Sequence, residues 1–128
     1  MQVTSNELLK TVAPDHLKLF NKEEPIYERV NETLSFKRQD VATAAKVSLT
    51  NVRYDGRVPD VLRQRYIEWA NALNTIADYF KGEPEKAIIW FKVPNPMLGG
   101  MTPRDMIRVG RYKKLMSFIN SAIEENKR

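Results

Sequence analysis

The chain has 128 residues, with 21 Lys plus Arg against 16 Asp plus Glu, no cysteine and one histidine. That length suits one domain, and with 42% hydrophobic residues the chain can bury a core of its own, which argues against intrinsic disorder. The absent cysteines exclude a disulfide framework, an iron-sulfur cluster, a thiolate nucleophile and a zinc-thiolate site, and a single His16 excludes a multi-histidine metal cage.

The opening MQVTSNELLKTV lacks the basic start and unbroken apolar run of a secretory signal, and no apolar run is long enough to span a bilayer. A cytoplasmic protein without a membrane partner or cofactor is therefore expected. The formal charge of +5 is uneven along the chain. Residues 1–36 carry four basic and six acidic side chains, residues 37–65 seven and three, and residues 66–128 ten and seven. The middle block is where an anionic partner would be sought first, although a solvated, solubilising face has the same composition.

Proline placement and recurring i, i+3, i+4 apolar spacing predict an all-α fold. We divide it into an N-terminal arm or helical extension (1–35), a helix-turn-helix with a long connecting helix (36–80), and a small helical C-terminal domain (81–128). The stretch Asn6 to Phe20 reads as weakly helical and interrupted at Pro14. A helix is expected from Pro25 through Ile26, Tyr27, Val30 and Leu34, another over Lys37 to Ala45, and a third over Ser48 to Asp55. From Pro59 a long helix should reach Phe80, its residues Leu62, Tyr66, Trp69, Leu73, Ile76 and Phe80 forming a heptad-like seam. Such a seam serves either as the strut of a monomeric core or as a dimer surface. Gly82 should end it, and Pro84 should open a helix containing Ile88, Ile89, Trp90 and Phe91.

Val93 to Gly100, VPNPMLGG, must be a shaped loop. Thr102, Pro103 and Asp105 then form a helix start: hydroxyl cap, proline at the first position, carboxylate at the third. A short helix ends near Gly110, and a last one, Arg111 to about Glu125, puts Leu115, Phe118, Ile119, Ala122 and Ile123 on one face.

Residues 36–57, FKRQDVATAAKVSLTNVRYDGR, fit a DNA-binding helix-turn-helix. Ala42 is the small residue where two steeply crossing helices approach, and Val47 and Val52 plug the angle between them. Lys46 occupies the turn position usually taken by glycine, which implies a left-handed lysine. Ser48 would cap a second helix that presents Leu49, Thr50, Asn51, Arg53 and Tyr54 to the major groove, with Lys37, Arg38 and Arg57 of the basic block beside it. Asn and Arg suit base edges, whereas Thr, Tyr and Lys usually settle on phosphate.

The segment Trp90 to Ile119 combines a tryptophan with NPxLGGxTPxDxI and GRxxKLxxFI at fixed spacing. This combination resembles the C-terminal toxin-binding domain of the Xre, MbcA and ParS antitoxin family, and the likeness runs from the helix-turn-helix near Phe36 to the last helix. It implies an all-helical antitoxin of a type II toxin-antitoxin pair, whose partner is a RES-domain toxin that consumes NAD. The C-terminal domain would cover the toxin's active-site entrance, and the protein, as a homodimer, would bind operator DNA to repress its own operon.

The family motif falls on Asn95, Pro96, Leu98, Gly99, Gly100, Thr102, Pro103, Asp105, Gly110 and Arg111. Gly99 and Gly100 permit dihedrals closed to other residues. By resemblance, toxin contacts are expected from Asn95, Leu98, Gly99, Gly100, Arg104, Arg108, Arg111, Lys113, Lys114 and the tail Glu124 to Arg128, with basic side chains suited to a dinucleotide-phosphate pocket. Where many relatives have an aliphatic residue after the TP pair, this chain has Arg104. The alternative is a stand-alone repressor without a toxin.

An enzyme is not expected. His16 has no spaced partner, the pairs Glu23–Glu24 and Glu124–Glu125 are adjacent in sequence and so point in different directions on a helix, and Gly99–Gly100 lacks the strand and lysine of a phosphate loop.

Overall fold

A computed structural model describes residues 13–127. Their order is a two-stranded hairpin followed by six helices: β1 Phe20–Asn21, β2 Glu24–Pro25, α1 Tyr27–Leu34, α2 Arg38–Ala45, α3 Asp60–Tyr79, α4 Pro84–Lys92, α5 Pro103–Arg108 and α6 Tyr112–Asn126. Two 3-10 turns, Leu49–Asn51 and Pro96–Leu98, lie in the connections. The fold is thus all-α apart from the hairpin, and among the described residues no helix is long and apolar enough to cross a membrane.

The long helix forms where its seam predicts, between Pro59 and Phe80 as flanking residues. Leu62, Tyr66, Trp69, Leu73 and Ile76 are all buried inside the chain, so the seam is a central strut. α3 packs against β2, α1, α2, α4 and α6, while α5 bridges α2, α4 and α6. One buried cluster therefore runs from Leu19 to Ile119, with Trp69, Tyr66 and Phe91 its largest members. Burying each such side chain contributes at least about 1.5–3 kcal/mol.

The stretch before α1 differs from the weak helix expected there. The part of that stretch before Ala13 lies outside the described residues, and the remainder is extended and turned. Asp15 explains it: its two carboxylate oxygens accept the backbone N–H groups of Leu19 (2.8 Å) and Phe20 (3.0 Å). Asn74, the buried polar residue of α3, donates to Asp15 and accepts from Leu17 N, which pins the stretch to the core. The chain then closes the hairpin in the register Phe20 to Pro25 and Asn21 to Glu24. Pro25 consequently ends a strand instead of opening α1, which begins two residues later.

The third expected helix, Ser48 to Asp55, is absent. Only the single 3-10 turn Leu49–Asn51 forms, and Ser48 does not cap it; its hydroxyl instead lies 3.1 Å from that of Thr50. Tertiary bonds outcompete the helix. The Val52 carbonyl accepts from Arg38 Nε (3.0 Å), and the Tyr54 hydroxyl lies 2.6 Å from that of the buried Tyr66, which donates to Asn31 at 2.7 Å. The rest of the turn geometry agrees with the sequence: Lys46 is left-handed at φ 59°, Ala42 and Val52 are buried, and Val47 packs against the core.

Candidate functional site

The segment from the end of α3 to the start of α6 is built around a rigid loop. Asn95 Oδ1 accepts the Met97 N–H at 2.9 Å, capping the Pro96–Leu98 turn. The Asn95 backbone closes the loop on both sides, donating to Met101 O and accepting from Gly100 N, both at 3.0 Å. Gly99 and Gly100 have φ of 68° and 86°, which only glycine adopts freely. Thr102 then caps α5 by accepting the Asp105 N–H at 2.9 Å, with Pro103 at the first helical position.

Asp105 also organises cations. Arg108 Nε donates to its Oδ1 at 3.1 Å, and Arg104 Nη1 reaches the same oxygen at 3.1 Å. Burial pushes the Asp105 carboxyl up, but hydrogen bonds from Arg108 and Thr102 and the charges of Arg108 and Arg104 outweigh it, leaving the group below its ordinary range.

Above this frame lies an apolar surface. On α4, Ala87 and Phe91 face the core, but Ile89 is 60% exposed; beyond the helix, Val93 is 50% and Met97 77% exposed. Phe80, Lys86, Ile89, Trp90, Val93, Pro94, Asn95 and Pro96 line a shallow groove of about 470 Å³.

Residues 77–112 match the family model of the antitoxin Xre/MbcA/ParS C-terminal toxin-binding domain. The match covers 36 of the 128 residues, and that segment resembles an antitoxin's toxin-binding domain. The crystal structure of the M.tuberculosis MbcT-MbcA toxin-antitoxin complex also aligns, at 23% identity and a TM-score of 0.46, over 77% of this chain and 90% of that chain. No curated protein matches. Every residue lining the groove falls inside the antitoxin-like segment.

The expected toxin contacts divide in this antitoxin-like frame. Asn95, Gly99 and Gly100 shape the loop, and Leu98 packs against the core. Arg104 is turned inward, which was not foreseen. Its Nε donates to Leu34 O and its Nη2 to Ser35 O (2.7 Å), while its guanidinium stands 5.2 Å from the Phe36 ring centroid. It thereby closes the C-terminal end of α1, where carbonyls lack intrahelical partners and positive charge is favourable. Arg108 is occupied by Asp105, whereas Arg111, Lys113 and Lys114 are exposed at the start of α6. In the tail, Glu124 to Lys127 are exposed; Arg128 lies outside the described residues.

The residues assigned to DNA do not share one helical face. Leu49, Thr50, Asn51 and Arg53 are exposed on the turn and the irregular chain after it, and Tyr54 is tied down through its hydroxyl. Arg38 holds Val52 O, and Arg57 pairs with Asp60 at 3.2 Å. Lys37 flanks the start of α2, where its own N–H is taken by Asp40 Oδ2. The two basic blocks also meet: the Lys46 side chain lies over Gly110, with Cε only 2.7 Å from where a Cβ would stand.

Sequence reasoning did not name Ile89, Val93 or Met97 as surface residues. A signal existed, because Ala87 to Phe91 with Val93 holds more apolar residues than one helical face can bury.

Proposed function

We propose that this protein is an antitoxin of a type II toxin-antitoxin pair, and that it neutralises a RES-domain, NAD-degrading toxin by covering its active site. The observation that carries the reading is the family match of residues 77–112, which coincides with a pre-shaped loop and an apolar surface. An inhibitor that occupies another protein's site needs a rigid, complementary face and no catalytic groups of its own. The test is to read the neighbouring gene and, where it encodes a RES-domain toxin, to co-express the two; a neighbour of another kind overturns the reading. Growth and cellular NAD should be restored; persistent arrest with both proteins soluble overturns the reading.

Autoregulation is the second part of the proposal, with the protein binding its operator as a homodimer. Lys37, Lys46 and Arg53 take part in no ion pair among the described residues and remain available to phosphate. With no helix over 48–55 to enter the major groove, such contacts would position the protein more than read sequence. Operator affinity should fall with salt at a log-log slope of about −0.9 per neutralised phosphate. A slope near zero would remove this part, whereas operator binding without toxin neutralisation would favour a stand-alone repressor.

A further inference from the structure

Sequence logic directs the toxin to the cations of the C-terminal segment, but the structure distributes chemistry there differently. Arg104 spends its donors inside the fold, and Arg108 gives its Nε to Asp105. Arg111, Lys113 and Lys114 are exposed at the start of α6, while on and beyond α4 the exposed large side chains are apolar: Met97, Ile89 and Val93 are exposed by 77%, 60% and 50%.

Met97 is the least expected of these. It sits on a turn fixed by the Asn95 side chain and by backbone bonds on both sides, so its exposure is built into the loop and is not the result of fraying. The turn's neighbour Pro96 lines the same groove as Ile89, Val93 and the half-buried Trp90. A thioether projected from a rigid turn, next in sequence to a proline that lines a groove with an aromatic and two branched aliphatic side chains, has the composition of an interface anchor. Because the turn is already ordered, little further entropy is lost when it docks.

We infer that the toxin docks on this apolar ridge, with Met97 and Ile89 as its anchors and Trp90 beside them, and that the toxin face that receives it is an apolar recess. The assignment rests on the antitoxin reading, since the toxin is chosen as occupant because the whole groove lies within residues 77–112. Of the exposed cations at the start of α6, Arg111 falls inside that segment and Lys113 and Lys114 just beyond it, and we assign all three to the rim.

The test measures binding of the full chain to the RES-domain toxin used for co-expression, for wild type, Met97→Glu, Ile89→Glu, and the double variant Lys113→Ala/Lys114→Ala. Each apolar-to-acidic change should weaken binding at least about tenfold, as loss of an interface anchor does, and abolish growth rescue. The lysine variant should stay within about threefold, as rim charges do. Circular dichroism should be unchanged throughout, because all four side chains are exposed. Wild-type affinity in both acidic variants overturns the assignment while leaving the antitoxin reading intact. So does a wild-type chain whose self-association is lost in Met97→Glu with toxin affinity preserved, which would give the ridge to a second copy. Failure of the wild-type chain itself to bind the toxin overturns the antitoxin reading and the docking face together.

Discussion

Replacing Arg104 with alanine should destabilise the fold without passing through any partner. The guanidinium donates to two carbonyls, Leu34 O and Ser35 O, and to the Asp105 carboxylate. A hydrogen bond from a charged donor contributes about 1.5–3 kcal/mol, and the side chain is 22% exposed, so water replaces part of it. Taking the low end for the two carbonyls and about nothing for the partly exposed Asp105 pair gives a loss of roughly 3 kcal/mol. With a urea m-value of about 1–3 kcal/mol/M, the unfolding midpoint should fall by roughly 1–3 M. Lysine retains the charge but offers one ammonium in place of a planar fork, so Arg104→Lys should recover less than half of the loss. A midpoint within error of wild type for Arg104→Ala, together with weakened toxin binding, would refute the argument and restore Arg104 as a partner contact.

Other consequences are open to the same kind of measurement. Gly110 has φ 82°, so Gly110→Ala should cost about 1–2 kcal/mol from the left-handed conformation, seen as a lower melting temperature. The Lys46 tip above it can swing away, and that contact should add little. Conversely, Lys46→Gly relieves a left-handed lysine at the end of α2 and should stabilise by up to about 1 kcal/mol. Asp105 has a lowered folded pKa, so the unfolded state binds protons more readily. Its contribution is present above the ordinary value of 3.8 and is lost as pH falls through the lower folded value. Urea midpoints taken down to that range should drop less steeply in Asp105→Asn than in wild type.

What could be read from the sequence was whatever is decided locally. The spacing from Leu62 to Phe80 specifies an amphipathic strut, and Thr102, Pro103 and Asp105 specify a capped start; both stand where expected. Asn95 and the glycine pair fixed the loop for the same reason. The failures involve partners far away in the chain. Nothing near Ser48 announces that Tyr54 will bond to Tyr66 or that Val52 O will be claimed by Arg38, yet those bonds hold residues 48–55 out of a helix. The internal bonds of Arg104 could not be read locally either, because its acceptors lie 70 and 69 residues earlier. Asp15 and Asn74 likewise act across 59 residues to shape a stretch with no regular pattern of its own.

The same long-range contacts change what the net charge of +5 means. Divided along the sequence, it suggested one basic surface for DNA and another for the toxin. In the folded chain, α5 packs against α2 and the Lys46 side chain covers Gly110, so the two blocks adjoin. Arg38, Arg104 and Arg108 are spent on Val52 O, the end of α1 and Asp105. Lys92 Nζ reaches Ser35 Oγ at 2.9 Å, beside the carbonyl that Arg104 holds. Two cations of the antitoxin-like segment thus converge on the left-handed Ser35 that ends α1. Positive charge from Arg104 and Lys92 acts as an internal clamp, and the exposed apolar side chains are the part of the surface whose burial a partner would reward.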